Sequence, residues 1–178
     1  MLDPECKDAS LESLNVPILD VKKTARDEPI TTYRNLPMRP RQARPTELAE
    51  IEQLLTHCPV SGRAHSMDHI DSVWVVPANA GLLACVQAEI RNRVLLLSDM
   101  AMVDRAHAAG LGELLLAAVI RHARLHGAIA AMLATSNAEE YFVRIGFQRI
   151  VRLDPALSEL DHLHYLRAPG YTVLHAAL

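Results

Sequence analysis

The most constraining feature of this sequence is the stretch 94–134, in which two apolar runs flank one strongly helical segment. Residues 94–103 (VLLLSDMAMV) are apolar except for Ser98 and Asp99 and predict a long strand. Residues 110–126 carry Leu111, Leu114, Leu115, Ala118 and Val119 at helical spacing, with Glu113, Arg121 and Arg124 on the other side. Gly127 is a suitable helix stop. Residues 128–134 then form a second run with few polar atoms, which predicts a buried strand. A strand, a helix and a buried second strand imply a parallel crossover, because parallel neighbours need a long connection.

What precedes this unit reads differently. Residues 72–76 form a strand that Pro77 should end, followed by a turn at 79–81. A second strand over 82–90 and a turn at 91–93 lead into the strand at 94. These three strands predict an antiparallel meander. The expected fold class is therefore α/β with a mixed sheet: an antiparallel meander, then a parallel crossover, with helices on the sheet.

The flanks complete that plan. Residues 38–44 suggest a short edge strand, since Pro40 is tolerable only at an edge. Pro45, Thr46 and Glu47 open a helix with Thr46 as its cap, and Leu48, Ile51, Leu54 and Leu55 give it one apolar face. Residues 59–70 read as loop or short helix. A short helix over 137–144 stops at Gly146, and strands follow over 147–153 and 171–176. Residues 1–36, broken by Pro4, Pro17 and Pro29, read as an arm or tail ahead of one domain over 37–178.

Composition narrows the functional classes. A net charge of -3 argues against a general nucleic-acid binder. Cys6, Cys58 and Cys85 are odd in number and lack a Cys-x-x-Cys pair. Neither a disulfide framework nor a zinc site is expected, and a reducing cytoplasm fits best. The acidic, polar start does not resemble a secretory leader, and no run approaches the roughly 18 apolar residues of a membrane span.

The loop between the strand and the long helix carries the first chemical signal. His107, Ala108, Ala109, Gly110, Leu111 and Gly112 are mostly small, so a ligand can approach the backbone closely. The first turn of the helix offers unpaired N–H groups and the positive end of its dipole, which suit a pyrophosphate. Two glycines at spacing two also fit a plain, closely packed helix start. Neither Gly-x-Gly-x-x-Gly nor a lysine-bearing phosphate loop is present.

Three segments together resemble the GNAT acetyltransferase family. The family's Arg/Gln-x-x-Gly-x-Gly/Ala motif falls on His107, Gly110 and Gly112, after an apolar triplet at Met100-Ala101-Met102. Residues 138–147 (AEEYFVRIGF) resemble its late two-aromatic helix with Gly-Phe, and Arg39-Pro40, Pro45, Leu48 and Ile51 resemble its opening. The likeness implies a GNAT fold and acetyl transfer from acetyl-CoA to a primary amine. It implies that the backbone of 108–112 holds the pyrophosphate and that Met102 and Val103 pair with the pantetheine arm. The Met102 N–H would then stabilise an oxyanion. The tail, with Pro155, Tyr165-Leu166-Arg167 and Val173-Leu174, is loosely similar to the acetyltransferase domain of bacterial N-acetylglutamate synthases. That likeness points to a free amino acid or similar small amine as acceptor, with Arg41, Arg144 or Arg167 for its carboxylate. Because the family commonly dimerises, a homodimer is expected.

Two departures from the family leave the proton-transfer residues open. Phe142 stands where many relatives carry a tyrosine acid, and Leu96 where some carry a glutamate base. Tyr141 and Tyr165 are the remaining candidate acids, and packing is the competing role for Tyr141. Asp99 and Glu89 are the remaining strand acids; Asp99 suits a base or amine-binding group, whereas Arg91 and Arg93 can simply pair with Glu89. A non-catalytic acyl-CoA binder and a protein N-terminal or lysine acetyltransferase are therefore alternatives. His65 with His69, and His122 with His126, have the helical spacing of metal ligands but lack further ligands in sequence, so no metal is expected.

Overall fold

The computed structural model describes residues 39–57, 59–61, 70–79, 81–103, 110–150 and 170–178. They form one eight-stranded mixed sheet. The strands are β1 (Arg41–Gln42), β2 (Pro59–Ser61), β3 (Val73–Ala78), β4 (Gly81–Arg91), β5 (Val94–Met102), β6 (Ala130–Thr135), β7 (Gln148–Arg149) and β8 (Thr172–Ala177). The helices are α1 (Leu48–His57), α2 (Leu111–Leu125) and α3 (Glu139–Arg144). The strand order is β1-β3-β4-β5-β6-β8-β7, with β2 also paired to β5. Among the described residues only β5 and β6 pair in parallel; the other pairs are antiparallel. The meander and the crossover through α2 are thus both present.

The sheet is covered on both faces. Ile51, Leu54 and Leu55 of α1 pack with Val73, Val75, Leu82, Cys85 and Ala101 on one face. On the other, α2 and α3 bury Leu115, Val119 and Phe142 against Val86, Leu95, Leu97, Met100 and Met102. Burial on each side contributes on the order of 25 cal/mol per Å² of apolar surface removed from water. Glu50 ties α1 to the sheet by accepting a 2.5 Å hydrogen bond from the Leu82 N–H at the start of β4.

Several expectations need correction. Pro77 lies inside β3 rather than ending it, because the β3–β4 register shifts between Val76 and Pro77 and spares the missing N–H. Thr46 does not cap α1. Residues Pro45–Glu47 form a 3₁₀ turn, and the Glu47 carboxylate accepts from the Arg44 N–H at 2.8 Å. Part of the expected loop at 59–70 is the strand β2. The buried stripe of α2 is Leu111, Gly112, Leu115, Leu116, Val119, Ile120 and Ala123, whereas Leu114 is 38% exposed. The continuous run 114–120 hides the phase of the helix, and packing sets it. The strand expected over 147–153 is only Gln148–Arg149 among the described residues. The arm at 1–36 lies outside them.

Candidate active site at the β5–α2 junction

The site begins with a break in β5. The β4–β5 register shifts between Cys85 and Gln87, and opposite that shift Asp99 has φ 44°. A non-glycine residue in this left-handed region marks a bulge. The extra residue reverses the alternation of the strand. Leu95 and Leu97 face α2 before the bulge, and Met100 and Met102 face it afterwards.

The same bend opens the sheet. The β5–β6 ladder runs from Val94↔Ala130 to Leu97↔Leu133 and stops there, although β6 continues beside β8 to Thr135. Beyond the bulge, β2 meets the same edge of β5 at Met100 and Ala101. On the other edge, the Val103 N–H donates to the Leu83 carbonyl at 3.0 Å. Alternation therefore turns the Met102 N–H toward the splayed edge.

The start of α2 faces this opening. Gly110 is the N-cap, in left-handed conformation at φ 68°, and no side chain among the described residues caps the helix. A helix start of this kind presents first-turn N–H groups that suit an anion. Gly112, the second residue of the helix, is buried under the side chains opposite. A Cβ there would collide with the Tyr141 hydroxyl and lie 2.8 Å from the Met102 Cε. Leu111 points its own side chain into the core.

Tyr141 supplies the site's unusual polar group. Its hydroxyl is buried, with no hydrogen-bond partner among the described residues. Burial raises its pKa above the usual phenol value; the nearby Glu113 carboxylate adds to this and Arg144 opposes it. The Arg144 guanidinium sits 5.7 Å from the Tyr141 ring centroid and 3.9 Å from Glu113. Phe142 is 2% exposed and packs edge-on between Tyr141 and Phe147. Asp99 is buried, and its charge helps to push the Cys85 thiol up to about 12, after the larger effect of burial.

The structure therefore brings Met100, Ala101, Met102, Val103, Gly110, Leu111, Gly112 and Tyr141 to one junction, with Asp99 at the bulge beside it. His107, Ala108 and Ala109 lie outside the described residues, as do His65, His69, Tyr165 and Arg167. Leu96 packs with Met132, Ala134 and Val173 on the face away from α2, so an apolar side chain suits that position. Arg41 is engaged by both oxygens of Glu47, leaving Arg144, 72% exposed, as the more available arginine. The His122 and His126 rings stack at 4.0 Å, but no group of three His, Cys, Asp or Glu suited to a metal occurs among the described residues. The sequence reading missed β2 and the bulge. The only signal for the bulge was the Ser98-Asp99 pair interrupting an otherwise apolar run.

The architecture matches known structures. A Neisseria gonorrhoeae N-acetylglutamate synthase complexed with coenzyme A and N-acetyl-glutamate superposes at TM-score 0.67, with 20% identity over 79% of this chain. The match covers 35% of that protein, so the chain spans about a third of its length. A Mycobacterium tuberculosis protein in complex with CoA gives 0.63, at 17% identity over 78% of this chain and 98% of that one. A Staphylococcus aureus acetyltransferase of the GNAT family gives 0.60, at 14% identity over 79% and 99%. No family profile matches the chain, and no curated protein matches it in sequence. The chain has the GNAT acetyltransferase fold.

Proposed function

We propose that this protein moves an acetyl group from acetyl-CoA to the primary amine of a free amino acid or a similar small molecule, within a ternary complex. One observation carries the proposal: an α2 N-terminus without a side-chain cap among the described residues meets the splayed edge of β5 at a glycine that leaves room for a buried hydroxyl, itself without a partner among those residues. A helix start of this kind fits a pyrophosphate, and the β5 edge past its pairing with β2, at Met102 and Val103, fits an amide-bearing arm.

Acetyl-CoA supplies the activated acyl group as a thioester. The N–H groups of 108–112 hold its phosphates, with His107 beside them. Met102 and Val103 hold the arm along the β5 edge, and an N–H at Met102 favours negative charge on a carbonyl oxygen. Asp99 binds the acceptor amine or takes its proton. Tyr141 faces the leaving sulfur. A phenol that resists ionisation stabilises a thiolate by donating a hydrogen bond rather than by giving up its proton. Arg144 is the group for an acceptor carboxylate. The N-acetyl-glutamate held by the Neisseria protein supports an amino-acid acceptor.

A second reading is a non-catalytic acyl-CoA binder. It is favoured by the apolar burial of Leu96 and Phe142, which leaves no acid or phenol at either position. Calorimetry with acetyl-CoA combined with CoA release across a panel of free amino acids separates the two. Binding with turnover on any member supports the transferase. Binding without release on any amine, peptides included, supports the binder. Release on peptides alone would move the assignment to a protein acetyltransferase.

A further inference from the structure

The first turn of α2 carries one acid, Glu113, at the helix end where a phosphate is expected. Its carboxylate folds back over the helix start: Oε2 lies 3.7 Å from the point at which a Gly110 side chain would begin. The helix dipole favours a negative charge there, and it draws a phosphate to the same place. The other oxygen, Oε1, lies 3.9 Å from a terminal nitrogen of Arg144, the last residue of α3. That separation is an ion pair without a hydrogen bond. The Glu113 and Arg144 side chains are 32% and 72% exposed, so both have room to move. Tyr141 belongs to the same cluster, with the Arg144 guanidinium 5.7 Å from its ring centroid and its hydroxyl over Gly112.

We propose that Glu113 and Arg144 together set the affinity of the cofactor site: the Glu113 carboxylate opposes phosphates at the start of α2, and Arg144 draws it off the cap to admit them. This inference rests on the acetyl-CoA reading above. A carboxylate and a diphosphate cannot share one helix start, because both are drawn to its positive end and they repel each other. The carboxylate has an alternative partner within reach. A movement of about 1 Å brings Oε1 into a charge-assisted hydrogen bond with Arg144. The guanidinium is a fork of several donors, so holding Glu113 leaves others for an acceptor carboxylate. The CoA left after transfer carries the same phosphates, and the same opposition speeds its release.

Calorimetric titration with acetyl-CoA of four proteins tests this: the wild type, Glu113→Gln, Arg144→Gln and the double variant. Both side chains reach solvent, and far-UV circular dichroism checks that each variant is folded. At low salt, Glu113→Gln should bind about three- to tenfold more tightly than the wild type. Arg144→Gln should bind more weakly by a similar factor, and that loss should shrink when Glu113 is already replaced. At about 1 M salt, where charges are screened beyond roughly 3 Å, the gain from Glu113→Gln should fall below about twofold. A role in packing alone would not follow the salt. Wild-type protein that binds no acetyl-CoA would overturn this inference together with the acetyl-CoA reading. Wild-type binding that Glu113→Gln leaves equal or weakens, or an Arg144→Gln loss of the same size with and without Glu113, would overturn this inference alone.

Discussion

Gly112 lies directly beneath the Tyr141 hydroxyl, so that the first carbon of any side chain would enter the space the phenol occupies. Met102 Cε would be only 2.8 Å away on the other side. The methionine tip can swing aside, but the phenol is held by Phe142. Gly112→Ala should therefore destabilise the protein by about 1–3 kcal/mol, the usual cost of overpacking. Adding Tyr141→Phe should recover roughly 1 kcal/mol, because residues in contact are not additive. Urea unfolding of the four proteins in this cycle measures the coupling. Additive effects would show that the two residues do not meet.

Tyr141→Phe alone should separate stability from activity. The hydroxyl is buried without a partner among the described residues, so removing it deletes a desolvation cost. Stability should be unchanged or higher by about 1 kcal/mol. If Tyr141 faces the leaving sulfur, kcat should fall at least about tenfold, equivalent to roughly 1.4 kcal/mol of barrier, with little change in acetyl-CoA affinity. Steady-state kinetics on an active acceptor, paired with the melting temperature, decides this. An unchanged kcat would leave Tyr141 a packing residue.

Gly110 separates backbone strain from charge. At φ 68°, any L side chain there costs roughly 1 kcal/mol or more. The space itself is open, since a Cβ would make only ordinary contact with the Glu113 carboxylate at 3.7 Å. Gly110→Ala should thus be modestly destabilised yet still bind acetyl-CoA. Gly110→Glu carries the same strain plus a carboxylate at the helix start and should lose binding by about a hundredfold or more, or some 2.7 kcal/mol. Equal affinity for the two variants in calorimetry would remove the phosphates from this end of α2.

Much of this architecture was legible because strand alternation and helical spacing leave plain traces. The meander, the crossover and the apolar face of α1 followed from Val73, Val75, Ile51, Leu54 and Leu55. Two of the failures, in β5 and in α2, had a common cause: continuous apolar runs carry no phase. In β5 the switch from Leu95 and Leu97 to Met100 and Met102 is invisible in a string of leucines and methionines, so the bulge went unseen. In α2 the run 114–120 concealed that Leu114 turns outward. At the site, the small residues at 110 and 112 were legible as a closely packed helix start. The approach of Tyr141 to Gly112 was not, since it depends on how α3 packs across α2.

Cys85 should be chemically silent in the folded protein. It is fully buried between α1 and the sheet, and burial, with a smaller push from Asp99, lifts its thiol pKa to about 12. Only the thiolate reacts readily. In a Cys6→Ser, Cys58→Ser background, N-ethylmaleimide at pH 8 should leave native protein unmodified and label it fully in urea. Mass spectrometry reads both. Rapid native labelling would mean that α1 opens easily from the sheet.

The pair Arg41–Glu47 sets an acid limit on stability. Both Glu47 oxygens accept from the Arg41 guanidinium, at 2.6 and 2.9 Å, and Glu47 also accepts from the Arg44 N–H. Chiefly through Arg41, these contacts hold the Glu47 carboxyl at about 2, below its ordinary 4.5. A carboxylate whose folded pKa is depressed stabilises the fold above its unfolded pKa and loses that contribution as pH falls through the folded value. The contribution should therefore be complete above about pH 5 and disappear between there and about pH 2. A shift of this size corresponds to at most about 3 kcal/mol, and solvent screening of a pair whose arginine is 30% exposed reduces it to the order of 1 kcal/mol. Glu47→Gln should lower stability by about that amount at pH 7 and by nothing near pH 2. Chemical denaturation at a series of pH values checks this. Parallel curves for the two proteins down to pH 2 would show that the fork closes without stabilising the edge of the sheet.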